Sequence, residues 1–216
     1  MKNTLNKFHS FCLKYHLYYY LGMVLLFAFD IATKYSFEAL LLANDGRIEV
    51  IPGFFDLALL YNPGAFSGML GGSLGGKIVL NLLSLGCGVA MIFGFVKYYN
   101  KICGFERAGL LMAIPGTLGN LVDRFLMLIG KQEGVIDFLE FDLGFMVWNT
   151  FNIADALLVA GLITFAVGLL VRGHKEDKEK KLLEAQGKVV DTQVEEEKEP
   201  VEEVQENEST EDKKND

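Results

Sequence analysis

Cysteine and histidine are scarce in this sequence, three of each in 216 residues, and neither falls into a metal-ligand pattern. Cys12, Cys87 and Cys103 form no CxxC pair and are odd in number, which excludes a disulfide framework or a cysteine-based zinc site. His9, His16 and His174 also lack ligand spacing, so neither a metal nor any other cofactor is expected. No internal repeat is visible, which removes one usual mark of a carrier built from duplicated halves. Net charge is missing from most of the chain. Residues 1–172 carry 12 acidic and 12 basic side chains, while the 16 acidic and 8 basic side chains after residue 172 supply the whole net charge of -8. A nucleic-acid partner is not expected of a neutral body with an acidic tail.

What the sequence does have is apolar length. It is 51% hydrophobic with positive mean hydropathy, and its apolar residues come in blocks rather than stripes, a membrane composition. Four blocks predict four transmembrane helices: roughly Tyr15 to Phe37, Gly75 to Tyr99, Ala108 to Ile129 and Val147 to Val171. The first follows Lys2, Lys7 and Lys14 but leads into Asp30 and Lys34 rather than a small-residue cleavage site, so an uncleaved helix is expected. Between the first two, RIEVIPGFFDLALLYN is β-like and bounded by Gly and Pro, predicting a small extramembrane sheet or ribbon. The expected fold is a polytopic α-helical membrane protein, with a small extracytoplasmic sheet and loop region on a domain of residues 1–172. Residues 173–216 read as a charged, disordered cytoplasmic tail, of which HKEDKEKKLLEAQ extends the fourth helix by a few turns.

Lys and Arg cluster before the first helix, between the second and third, and after the fourth, which places both termini in the cytoplasm. This topology collects the polar residues at one depth. Asp30 and Lys34 end an outward-going helix, Asn120, Asp123 and Arg124 lie in the outer half of the third, and Asn152 and Asp155 open the fourth. Asn62 and Asp137 sit in the external connections beside them. An ionisable residue near the centre of a membrane helix costs at least ~2.5 kcal/mol, so such a collection implies a purpose.

Asp30 and Asp123 each have a cation close in sequence, Lys34 and Arg124, and read as structural. Asp137 and Asp155 have none. Two carboxyls together in a poorly solvated site share a proton, so one can act as general base on water while the other polarises a carbonyl. Asn62, Asn120, Asn152 and Arg124 are candidate donors to developing oxyanion charge. Nucleophilic catalysis fits poorly, because Ser67 and Ser73 have no histidine on their side of the membrane. These residues alone leave a hydrolase and a small proton-coupled carrier both open. A structural protein acting through its acidic tail is a third reading. Against the carrier, LLVAGLITFAVGLLV in the fourth helix offers only Thr164 as a polar group.

Five segments, in family order, resemble signal peptidase II, the bacterial lipoprotein signal peptidases: DIATK at Asp30 to Lys34, YNPGAF at Tyr61 to Phe66, GTLGNLVDR at Gly116 to Arg124, VIDF at Val135 to Phe138, and FNIAD at Phe151 to Asp155. Two features depart from the family. YNPGAF is one residue shorter than the commoner N-x-G-A-A-F, and the connection from Arg124 to Asp137 is longer. The resemblance implies a monomeric aspartic peptidase of the bacterial inner membrane, with its active site near the extracytoplasmic surface. Such an enzyme removes the signal peptide immediately before the diacylglyceryl-modified cysteine of a prolipoprotein whose acyl chains stay in membrane lipid. It assigns the dyad to Asp137 and Asp155. Asn62, Asn120, Arg124, Asn152, Asp30 and Lys34 become supporting residues, and Asp123 a structural one.

Overall fold

The computed structural model describes residues 17–64 and 72–196, with side-chain surroundings to residue 184. The expected helix start at Tyr15 lies outside the described residues, as do Cys12, His9, His16, Ser67, the last two residues of YNPGAF and the tail from residue 197. In chain order the elements are α1 (Leu17–Leu42), β1 (Arg47–Ile51), β2 (Phe55–Asn62), α2 (Leu74–Tyr98), α3 (Gly104–Leu128), β3 (Val135–Asp142), β4 (Val147–Phe151) and α4 (Ile153–Glu196). The four strands form one antiparallel sheet in the order β1-β2-β3-β4. The chain divides into two compact units between Leu169 and Leu170.

Three boundaries differ from expectation. Helix α1 continues past Phe37 to Leu42, where Leu41 is fully buried with Ile136 and Phe138 of the sheet and Phe37 stacks on Phe138 at 4.6 Å. The segment VIDFLEF is a central strand rather than a connection, paired to β2 along most of its length. Val147 to Phe151 is also a strand, and α4 begins only at Ile153. Hydrophobicity alone does not separate a short buried strand from a helix start, and here the pairings Leu139↔Phe151 and Phe141↔Trp148 decide for the strand. The fourth helix also runs further than the few extra turns expected, reaching Glu196. Lys175/Glu179, Glu176/Lys180 and Asp177/Lys181 stand four apart with opposite signs, spacing that favours a helix in this stretch.

Helices α2 and α4 (to Glu184) are long and apolar enough to cross a membrane. Helices α1 and α3 interrupt their apolar runs with Asp30, Lys34, Asp123 and Arg124, all buried or half-buried. Near the chain's basic loops, Phe95, Ile102, Leu110 and Ile114 pack with Tyr19 and Met23 of α1. Helices α3 and α4 touch backbone to backbone. A Cβ on Gly116 would lie 2.5 Å from the Ala154 carbonyl oxygen, and one on Gly161 would lie 2.6 Å from the Ala113 nitrogen. Such small-residue contacts let helices approach closely in lipid. Here the approach brings Asn120 alongside Asn152 and Asp155. Pro115 sits fully buried in an α3 that runs unbroken from Gly104 to Leu128.

Candidate active site

The start of α4 organises the site. A helix leaves its first four backbone N–H groups without intrahelical partners. Here Asn152 precedes the helix and accepts from Asp155 N at 3.0 Å through its side chain, while Asp155 accepts from Asn152 N at 3.2 Å. This reciprocal capping, three residues apart, fixes both side chains. A third group comes from another helix: Asp30 Oδ1 accepts from Ala154 N at 2.7 Å. The carboxylate is thereby placed at the positive end of the α4 dipole.

Asp30 also belongs to a buried ionic cluster. Lys34 Nζ lies 3.1 Å from Asp30 and 2.9 Å from Asp123, and it donates to Asn120 Oδ1 at 3.0 Å. One ammonium thus serves two carboxylates and an amide, and Lys34, Asp30 and Asp123 are each fully buried. The sequence neighbour Arg124 is not Asp123's partner, which corrects the expected pairing. Arg124 Nη1 donates to Ser84 at 3.1 Å, and its carbonyl accepts from Asn81 Nδ2, also at 3.1 Å. Consecutive residues on a helix point about 100° apart, so Asp123 and Arg124 cannot both face one partner.

Asp137 reaches the same place from the sheet. Strand β3 enters at Val135 opposite Asn62, and Asp137 stands opposite Leu60. One Asp137 oxygen accepts from Asn152 Nδ2 at 2.6 Å and the other from Asn62 Nδ2 at 3.1 Å. Asn120 closes the ring, donating to Asp155 at 2.7 Å and accepting from Asn152 at 3.1 Å. Asn152 therefore touches both carboxylates, and neither Asp137 nor Asp155 has an ion-pair partner among the described residues. Burial and, after it, the nearby Asp155 carboxylate push the Asp137 carboxyl up to about 7 against the two amide donors. Asp137 is fully buried, whereas Asp155 is half-exposed.

Eight of the nine candidate residues are thus linked by hydrogen bonds or ion pairs at the meeting of α1, α3, the sheet and α4, while the contacts of the ninth, Arg124, run to Asn81 and Ser84 of α2. The amides of Asn62, Asn120 and Asn152 all donate to the two carboxylates, so they orient these rather than wait for an oxyanion. Arg124 differs, since its buried Nε has no partner among the described residues. Three supporting contacts were not anticipated. Tyr61 donates to Glu38 at 2.6 Å, tying the site end of β2 to α1, and burial and that carboxylate push the Tyr61 phenol up to about 12. Glu38 follows Asp30 and Lys34 at four-residue spacing, a signal that points to it. Asn81 and Ser84, three apart on an otherwise apolar α2, carry the same kind of signal.

Among the described residues no group of three His, Cys, Asp or Glu side chains has metal-holding geometry. Apolar helices thus meet a small sheet at a buried carboxylate–amide ring. Two solved structures described as bacterial membrane enzymes, obtained by the in meso method at 2.3 and 1.9 Å resolution, share the fold. The first is 29% identical with a TM-score of 0.56, covering 70% of this chain and 87% of its own. The second is 28% identical with a TM-score of 0.53, covering 70% and 92%. The family model described as signal peptidase (SPase) II matches residues 22–171. A lipoprotein signal peptidase of Staphylococcus aureus is 32% identical over 174 residues, 77% of this chain and 99% of the relative. One from Sulfurihydrogenibium sp. (strain YO3AOP1) is 35% identical over 140 residues, 63% and 80% of the two chains. This chain belongs to the signal peptidase II family, a family of membrane peptidases.

Proposed function

We propose that this chain cleaves the signal peptide from prolipoproteins immediately before their diacylglyceryl-modified cysteine, as an aspartic endopeptidase with Asp137 and Asp155 as its dyad. The family supports the substrate class, as its relatives carry the name lipoprotein signal peptidase. The observation that carries the dyad is the double contact of Asn152, whose side chain holds Asp137 and whose N–H holds Asp155.

In this reading Asp137 keeps the shared proton and donates it to the scissile carbonyl oxygen. Asp155, on the half-exposed side, takes a proton from the attacking water, whose oxygen bonds to the carbonyl carbon. The tetrahedral species collapses as the proton on Asp155 passes to the leaving nitrogen. The C–N bond breaks, the product is a carboxylic acid with a free amine, and Asp137 recovers its proton from the intermediate's hydroxyl. Asn62, Asn120 and Asn152 orient the carboxylates, and the unpartnered Nε of Arg124 serves the developing charge. Lys34, Asp30 and Asp123 hold the helices.

All four helices cross the inner membrane of a bacterium, both termini are cytoplasmic, and the sheet lies at the extracytoplasmic face. A monomer suffices, because every site residue comes from one chain. A lipid-modified substrate suits a site where helices meet sheet, since its acyl chains remain in the bilayer while the bond reaches the carboxylates. The carrier alternative gains no support: Thr164 on α4 is occupied with the Ala160 carbonyl at 2.7 Å.

Cleavage of a diacylglyceryl prolipoprotein by purified protein in detergent tests the reading. Asp137→Asn and Asp155→Asn are each expected to lower the rate by roughly 10³-fold or more with normal accumulation, the scale of losing a general acid or base. Asp123→Asn is expected to accumulate poorly instead. Substantial cleavage by either dyad variant would remove that aspartate from the chemistry.

A further inference from the structure

The sheet has a second end, opposite the site. Phe55 at the start of β2 stands opposite Phe141 near the end of β3, and Asp142 N donates to the Phe54 carbonyl at 2.9 Å, so the β1–β2 and β3–β4 turns lie side by side. From the level of Asp137 to these turns is about five residues of strand, or roughly 17 Å. Both turns are apolar and exposed. Val50, Ile51 and Phe54 come from one, Met146, Trp148 and an 82% exposed Phe145 from the other.

Two segments about ninety residues apart in sequence, VIPGFF (50–55) and LGFMVW (143–148), contain no charged residue. Hairpin turns in water commonly use Asn, Asp or Ser. These use Gly53 and Gly144, at φ +68° and +78°, which supply the left-handed backbone without a polar side chain. The flanking acids face back into their own turns: Glu49 accepts from Gly53 N at 3.2 Å and Asp142 from Gly144 N at 2.8 Å. An uncharged, aromatic, Trp-bearing tip on a membrane protein has the composition of the residues that sit at a bilayer's interface. Its depth is limited, because the open turns and the free edges of β1 and β4 carry backbone groups that hydrocarbon cannot satisfy.

We propose that the paired turns of the sheet dock into the bilayer surface, at the boundary of headgroups and acyl chains. This gives the sheet a lipid contact of its own, at the end away from the carboxylate ring. It does not depend on Asp137 and Asp155 being the dyad.

Trp148 is the chain's single tryptophan, so its fluorescence reports on this tip directly. The full-length protein is reconstituted into phosphatidylcholine vesicles brominated at acyl positions 6,7 or 11,12, with iodide as the aqueous quencher. The expected result is strong quenching by the shallow bromines, about twofold weaker quenching by the deep ones, as for insertion confined to ~5–10 Å, and little effect of iodide. The double variant Phe145→Ser, Met146→Ser is expected to lose most of the bromolipid quenching and to become accessible to iodide. Iodide quenching without bromolipid quenching in the unaltered protein would place the tip in water. Protection from both quenchers would mean that protein covers it, as in a dimer, and either result overturns the proposal.

Discussion

Asp123 and Asp137 are both buried aspartates, and the regions around them handle burial in opposite ways. Asp123 shares Lys34 with Asp30, so two carboxylates surround one ammonium inside the helices. Asp137 has amide donors on both oxygens, no ion-pair partner among the described residues and a second carboxylate nearby, and its carboxyl is pushed up to about 7. A buried carboxylate beside a cation is held in an ion pair that fixes geometry. One beside amides and another carboxylate is left free to exchange a proton near neutral pH. Asn120 joins the two regions, accepting from Lys34 and donating to Asp155. The ionic cluster is thereby tied to the Asp155 carboxylate through a single amide.

Removing the cation breaks this contrast most severely. Lys34→Met leaves Asp30 and Asp123 buried together without a counter-charge and is expected to cost about 3–5 kcal/mol of stability. Thermal unfolding in detergent checks it, and an unchanged transition would mean that the cluster is not what holds α1 to α3. Cutting the link comes next. Asn120→Ala removes the donor on Asp155 and is expected to slow cleavage on the order of 10²-fold in kcat while the protein still folds. An unchanged kcat would separate the two regions functionally. The smallest effect belongs to the exposed ion pairs of Arg47 with Asp56 and Glu140 on the sheet. Arg47→Ala is expected to cost under about 1 kcal/mol and to leave the rate unchanged. A large loss there would show that charge pairing on the sheet matters as much as pairing inside it.

Much of the site was legible because helical spacing is a strong rule. Asp30 and Lys34 at i,i+4 do meet, and Asn152 and Asp155 at i,i+3 cap each other. The same rule, applied fully, argues against a pair between the adjacent Asp123 and Arg124, and mere closeness in sequence misleads there. Strand β4 was hidden because VWNTF carries no charge, glycine or proline and runs almost directly into the apolar helix that follows it. Only its pairing with β3 distinguishes the two, and strand pairing is not local information. Asn81 and Ser84 escaped notice for another reason. Their partners are the carbonyl and guanidinium of Arg124 on a different helix, and only the packing of α2 on α3 brings them together.

The central claim is that the exchangeable proton of the carboxylate ring sits on Asp137. The sign follows from the raised value: Asp137 holds its proton below about 7 and loses it above. Cleavage that needs this acid falls as pH rises through that range. Infrared difference spectra between acidic and alkaline pH observe the proton directly through the protonated carboxyl stretch. One carboxyl band titrating near pH 7 is predicted, absent from Asp137→Asn and preserved in Asp56→Asn, which alters only a carboxylate of the exposed ion pairs on the sheet. A band that survives Asp137→Asn, or no carboxyl titrating near neutrality, would contradict the account.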